Sequence, residues 1–196
     1  MTRYAGRAFS AALIALIATL APAEEPKMTP EQMAEMEAYM KAGTPGEPHK
    51  AMAATVGTYD LKIKGWHEPG APVTEDVGTA KRSVILGGRV LVEEFNGSMM
   101  GQPFTGHGMR GYDNVTGSYW STWMDSMSTG VMLSKGSCDA KGACTFTGSY
   151  DDPVKKTVVT LRMTTRQDGP KEIFEMYSPD KSGKEFKMME ITYTKR

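Results

Sequence analysis

Thr58-Tyr59-Asp60-Leu61-Lys62-Ile63-Lys64 alternates apolar and polar side chains residue by residue. Successive side chains of a strand point to opposite faces, so this run reads as a β-strand that buries the side carrying Tyr59, Leu61 and Ile63. The same metre continues to Tyr193. Strand-like runs cover Val73 to Leu86, Arg89 to about Ser98, Phe104 to Tyr112, Ser118 to Asp125, Val131 to Cys138, Cys144 to Tyr150, Thr157 to Arg166, Glu172 to Tyr177 and Glu185 to Thr194. Gly87-Gly88, Asp113 to Gly117, Asp151-Asp152-Pro153, Asp168-Gly169-Pro170 and Pro179 to Gly183 interrupt them as turn signals. Two signals compete after Ser98, and Gly101-Gln102-Pro103 is preferred to Asn96-Gly97 because it leaves longer paired arms. Roughly ten strands with hairpin-sized links and no βαβ alternation predict an all-β chain. A single domain of this kind closes on itself as a β-barrel or sandwich; a closed antiparallel barrel is the expectation here, and a barrel of modest size can hold one small ligand.

Upstream of the strands, Thr29-Pro30-Glu31-Gln32 is a helix start: a capping threonine, a proline at the first helical position and a glutamine that completes a capping box. Met33, Met36 and Met40 fall on one face of that helix at core spacing, Gly43 and Pro45 end it, and a second short helix is expected over Pro48 to Ala54. Ahead of the helix, Arg3 and Arg7 precede an apolar run from Ala8 to Leu20 and the small-residue site Ala21-Pro22-Ala23. This is the pattern of a secretory signal peptide cleaved after Ala23. The run is too short to span a bilayer as a helix. The expected organisation is a signal peptide at 1–23, a leader and helical segment at 24–55 and a barrel at 56–196, in a periplasmic or secreted protein with no membrane span after cleavage.

Of 23 basic residues, the segment removes Arg3 and Arg7, leaving 21 against 23 acidic residues and a formal net charge of −2. No basic stripe survives, so nucleic acid is not an expected partner. Cys138 and Cys144 are the two cysteines of the chain. A three-residue turn at Ala140-Lys141-Gly142 would place them opposite each other in a hairpin, within disulfide reach. Export favours the disulfide, the alternative being two reduced core thiols.

Gly106-His107-Gly108-Met109-Arg110-Gly111 matches the dinucleotide pattern GxGxxG, but a strand and a hairpin turn follow it instead of the required helix. Its glycines read as relief for a bent strand that passes close to its neighbours. His49, His67 and His107 show no metal-ligand spacing, and only His107 lies on a strand that could face a barrel interior. The 16 methionines read as flexible apolar lining in preference to a copper site. No GxSxG occurs, and the adjacent pairs Glu93-Glu94 and Asp151-Asp152 diverge on a strand or sit in a turn, so neither suggests acid–base chemistry.

The most distinctive block is Trp120-Ser121-Thr122-Trp123-Met124-Asp125-Ser126. On a strand, Tyr119, Ser121, Trp123 and Asp125 share one face while Trp120, Thr122 and Met124 share the other. One face is expected to line the interior and the other to be covered. Asp125 reads either as a polar anchor in an apolar cavity or as a turn cap or ion-pair partner. Among Arg82, Arg110 and Arg162, the alternation sends Arg162 to solvent. Arg110, on the side of Gly106 and Gly108, is the candidate to hold a ligand carboxylate by a bidentate contact.

Thr44-Pro45-Gly46-Glu47-Pro48-His49-Lys50, Val56-Gly57-Thr58-Tyr59-Asp60, Leu86-Gly87-Gly88-Arg89, Gly111-Tyr112-Asp113-Asn114, Thr122-Trp123-Met124-Asp125-Ser126, Phe174-Glu175-Met176-Tyr177 and Met189-Glu190-Ile191 occur in an order that resembles the DUF1579 family. That family is an uncharacterised group placed near the calycins, and the resemblance implies a lipocalin-like barrel and no established activity. Tyr59 departs from it, standing where the family commonly has Trp.

The expected function is therefore non-enzymatic binding of a small apolar or amphipathic molecule. Trp66, Phe104, Met109, Trp120, Trp123 and Met124 would form walls or rim, Arg110 and Asp125 would orient a polar end, and His107 is a further ligand-binding candidate. No cofactor, metal site or catalytic set is expected. The competing readings are an isomerase or hydrolase that uses Asp125 or His107, and haem or metal binding through His107.

Overall fold

The computed structural model describes residues 28–154 and 156–196, and the signal-peptide and leader expectations for 1–27 lie outside them. The chain divides at Glu37/Ala38, and residues 38–196 form one compact unit. Helix α1 (Pro30–Gly43) starts as the sequence indicates. The Gln32 amide donates to Thr29 Oγ1 at 3.2 Å, and the Thr29 amide donates to Gln32 Oε1 at 2.8 Å. The methionine face is a correction. Met33, Met36 and Met40 are all exposed, and α1 buries no residue. Helical spacing reports which side chains share a side, not whether anything covers that side.

Helix α2 (Glu47–Ala54) follows, with His49 and Met52 buried. His49 Nδ1 accepts from the Gly46 amide at 3.0 Å, and its ring meets Tyr112 edge-on. Ten strands then run in chain order: β1 (Gly57–Gly65), β2 (Thr74–Ile85), β3 (Val90–Met99), β4 (Gln102–Asp113), β5 (Ser118–Asp125), β6 (Met132–Cys138), β7 (Cys144–Asp151), β8 (Val158–Asp168), β9 (Lys171–Pro179) and β10 (Glu185–Lys195). Every neighbouring pair is antiparallel, and β10 pairs with β1 from Tyr59↔Lys195 to Gly65↔Met189, closing the barrel. Closure removes both sheet edges, which is how such a fold satisfies its backbone without exposed strands. The architecture is compatible with a lipocalin-like barrel.

The turns follow their local chemistry. Met100 and Gly101, at φ of 52° and 72°, form a two-residue hairpin link with Met99 opposite Gln102. Both central residues of a type I′ turn need positive φ. Cys138 faces Cys144 and the two form a disulfide, with Cα atoms 3.9 Å apart and Gly142 at φ 83° in the intervening turn.

The inner face carries the core: Leu61, Ile63, Ala80, Phe95, Phe104 and Ile191 with Tyr59 and Tyr193. One barrel end is closed by the chain entering it. Helix α2 packs on β3, β4 and the 3-10 turn Leu86–Gly88. Arg89 donates to the Gly43 carbonyl, and Asn114 donates to those of Ala42 and Thr44. The opposite end bears the links after β1, β3, β5, β7 and β9.

A cavity inside the barrel as candidate functional site

Trp66, Met100, Met127 and Val131, from three of the links at that opposite end, border a cavity of about 720 Å³ inside the barrel. The cavity therefore opens there, at a mouth, and runs toward a floor at the helix-covered end. Ligand pockets fall between roughly 300 and 1,000 Å³. Its walls are mostly apolar. Phe95, Phe104 and Trp123 pack together, Phe104 stacking on Trp123 and Phe95 meeting it edge-on. Met132, Met163, Met176 and Met189 add flexible lining.

Glycine alternation makes room for the indole. A Cβ at Gly106 would lie 2.3 Å from Trp123 Cζ2, and one at Gly108 would lie 3.2 Å from Trp123 Cε3. On the outer face, a Cβ at Gly111 would lie 2.3 Å from Trp120 Cζ2. The GxGxxG stretch is thus a bed for two tryptophans on opposite faces of the sheet. The expectation of close approach was right, but what approaches is the tryptophan rings.

Strand alternation sorts the sequence candidates. Phe104, Arg110, Trp123 and Asp125 face inward, and Trp66 stands at the mouth. Met109, Trp120 and Met124 fall on the outer face. Met109 still borders the cavity, Trp120 covers Gly111, and Met124 lies in a second depression of about 490 Å³ outside the barrel. His107 is a further correction. It lies on the face of β4 opposite Arg110, and its Nδ1 is buried without a hydrogen-bond partner among the described residues. His107 faces outward and does not line the cavity, whereas Asp125 does; the two residues both border the second depression. The same orientation keeps His107 from ligating a haem in the cavity. Among the described residues, no three His, Cys, Asp or Glu side chains converge as a metal site.

Asp125 has its acceptors occupied. Trp123 Nε1 donates to its Oδ2 at 2.9 Å and the Met127 amide donates to its Oδ1 at 2.9 Å. Of the two readings the sequence left open, the turn-capping one matches this geometry, with the indole fixed at the same time. In the register, Asp125 faces Gly106 while Ser121 faces Arg110. Four residues of strand separate the two levels by about 13 Å. Arg110 and Asp125 therefore cannot grip the same polar end.

The floor holds a charge network that the sequence reading missed. Arg82, 5% exposed, donates through Nη1 and Nη2 to Glu172 at 2.9 and 2.8 Å and through Nε to Glu93 at 2.6 Å. Its guanidinium lies 4.8 and 4.6 Å from the rings of Tyr59 and Tyr193, and the Tyr193 hydroxyl donates to Glu93. Burial pushes the Glu172 carboxyl up, but the hydrogen bonds and charge of Arg82 outweigh it and hold the group below the ordinary range. Burial and the nearby Glu93 carboxylate push the Tyr193 phenol well above its ordinary value. The signal was a charged residue at an apolar position of the alternation: Arg82 two after Ala80, Glu93 two before Phe95, Glu172 two before Phe174. Adjacent Glu93 and Glu94 do diverge, and that divergence is what sends Glu93 inside.

Arg162, by contrast, faces outward as expected, pairing with Glu185 and lying over Tyr177. No helix among the described residues is long and apolar enough to cross a membrane.

No curated protein matches the chain. Among solved structures, the crystal structure of Rv2717c from M. tuberculosis is similar, with a TM-score of 0.58 at 12% identity over 78% of this chain and 99% of that one. At that identity the likeness concerns the fold. Residues 44–195 match the family described as "Protein of unknown function (DUF1579)", and the chain belongs to that family.

Proposed function

We propose that this protein is an exported carrier that binds a small apolar or amphipathic molecule inside its barrel. The observation that carries the reading is the cavity of about 720 Å³, with a mouth at one end and mostly apolar walls above a charged floor. A barrel stabilised only by its core would fill that space, because native interiors pack densely with few voids larger than a water. The walls of methionine and aromatic side chains adapt to apolar ligands of varied shape. The Cys138–Cys144 disulfide supports an oxidising compartment, in keeping with the N-terminal export pattern.

The test is native mass spectrometry of the purified protein before and after lipid extraction, with tryptophan-fluorescence titration of the extracted protein. A bound mass that extraction removes, and a saturable change from Trp123 on adding apolar probes, are the expected results. No bound mass and no titration with any probe would overturn the reading.

A further inference from the structure

The chemistry of the ligand's head follows from which donors the floor leaves unused. Glu93 and Glu172 present four carboxylate oxygens. Arg82 fills three of them and the Tyr193 hydroxyl the fourth. Arg110 enters the same layer from β4, and none of those oxygens receives a proton from it. Its guanidinium lies 5.0 Å from the Phe146 ring centroid, and it makes no hydrogen bond or ion pair among the described residues. Burial, and then the like charge of Arg82, lower its pKa, and Glu172 and Glu93 offset this only in part. A guanidinium offers five N–H donors in a fixed fork. That fork borders the cavity and meets no acceptor among the described residues, so it is available to an acceptor from outside the chain.

We propose, building on the carrier reading, that the ligand is a single-chain amphiphile with a carboxylate head, bound head-down. The carboxylate sits on Arg110 near the floor, and the chain runs past Trp123 to the mouth. Ser121, facing Arg110 in the register, and Ser134 beside it form a hydroxyl pair at 2.5 Å that flanks the head. The two arginines and two glutamates of the floor formally cancel, so a carboxylate leaves the layer one charge negative. Direct contact decides the matter. Both carboxylate oxygens match the guanidinium fork, and charge-assisted bonds are about twice as strong as neutral ones. A neutral acceptor such as a hydroxyl satisfies one donor.

Calorimetric titration of the lipid-extracted protein with dodecanoate, dodecanol and dodecyltrimethylammonium, each below its aggregation concentration, tests this. Dodecanoate is expected to bind about 10- to 100-fold more tightly than dodecanol, and the cation most weakly. Arg110→Gln is expected to erase the difference between dodecanoate and dodecanol, and Arg110→Lys, which keeps the charge and loses the fork, to retain part of it. Should Arg110→Gln not fold, the wild-type ranking and Arg110→Lys decide. Equal affinities for the acid and the alcohol, or a preference that survives Arg110→Gln, would overturn the head assignment while leaving the carrier reading intact. Failure of all three probes to bind would overturn the carrier reading itself, and the head assignment with it.

Discussion

Arg82 on β2 holds both carboxylate oxygens of Glu172 on β9, a residue 90 positions later in the chain, at 2.9 and 2.8 Å. The pair ties two strands that are not neighbours in the sheet across the floor of the barrel. Removing one partner of a buried pair strands the other, which costs about 3–5 kcal/mol. Arg82→Met is expected to destabilise the protein by that amount in urea unfolding, with an unchanged dependence on urea concentration. A loss below about 1 kcal/mol, the size found for surface pairs, would mean the network contributes no more than an exposed ion pair such as Arg162–Glu185.

The same network sets a pH window. Glu172 is held below its ordinary value of 4.5, so the folded state binds that proton less readily than the unfolded chain. Its contribution is complete above 4.5 and disappears as pH falls through the lower folded value. Tyr193 is held above its ordinary value of 10.0, so its contribution is complete below 10.0 and is lost as pH rises through the higher folded value. Stability should therefore fall at both extremes. Chemical denaturation across pH is the check: Glu172→Gln should flatten the acid limb, and Tyr193→Phe the alkaline one. An acid limb of unaltered slope in Glu172→Gln would assign acid sensitivity to other lowered carboxylates, such as Asp76 and Glu175.

Gly106 exists for Trp123. A methyl group there would overlap the indole at 2.3 and 2.6 Å. Overpacking of this kind costs about 1–3 kcal/mol, so Gly106→Ala should destabilise by that much. Trp123→Leu in the same background should recover part of the loss, because the smaller side chain vacates the space. A double-mutant cycle measures the coupling, and strict additivity of the two changes would show that they do not share that volume.

Cys138 and Cys144 close a loop of sequence separation 6 at a barrel hairpin. Chain-entropy reasoning gives a loop this short about 2 kcal/mol. Reduction, or Cys138→Ser with Cys144→Ser, is expected to lower the unfolding midpoint without opening the barrel. Collapse of the β-sheet circular dichroism on reduction would show that the bond is a condition of folding.

How much of this could be read in advance depended on which physical signal carried it. Ten strands and their turns were visible because period-two alternation and turn chemistry are local. Alternation also put Trp123 with Asp125 on one face of β5, and Arg110 with Gly106 and Gly108 on one face of β4. His107 was misjudged although the same rule applied: it sits between Gly106 and Gly108, and parity with them decides its face. Arg82, Glu93 and Glu172 were passed over because their partnership is made by closure, which brings β2, β3 and β9 to one floor from distant parts of the chain. The exposed Met33, Met36 and Met40 failed for the opposite reason, since helical periodicity is local and burial is not.

Asp125 allows a final discrimination between binding and chemistry. Its carboxylate accepts from Trp123 Nε1 and from the Met127 amide, so it fixes an indole against the cavity and caps the turn after β5. Asn presents one oxygen acceptor in the same place, and Ala presents none. If Asp125 positions the wall, Asp125→Asn should retain most of the affinity for an apolar probe. Asp125→Ala should lose more, because a freed indole and an unpaired amide each have to be ordered again on binding, at about 1 kcal/mol per hydrogen bond. Fluorescence anisotropy of Trp123, in a background where Trp66 and Trp120 are phenylalanine, should fall in Asp125→Ala and not in Asp125→Asn. An Asn variant that binds normally but abolishes a measurable turnover would reverse the argument, making Asp125 a proton-transferring group and the barrel an enzyme.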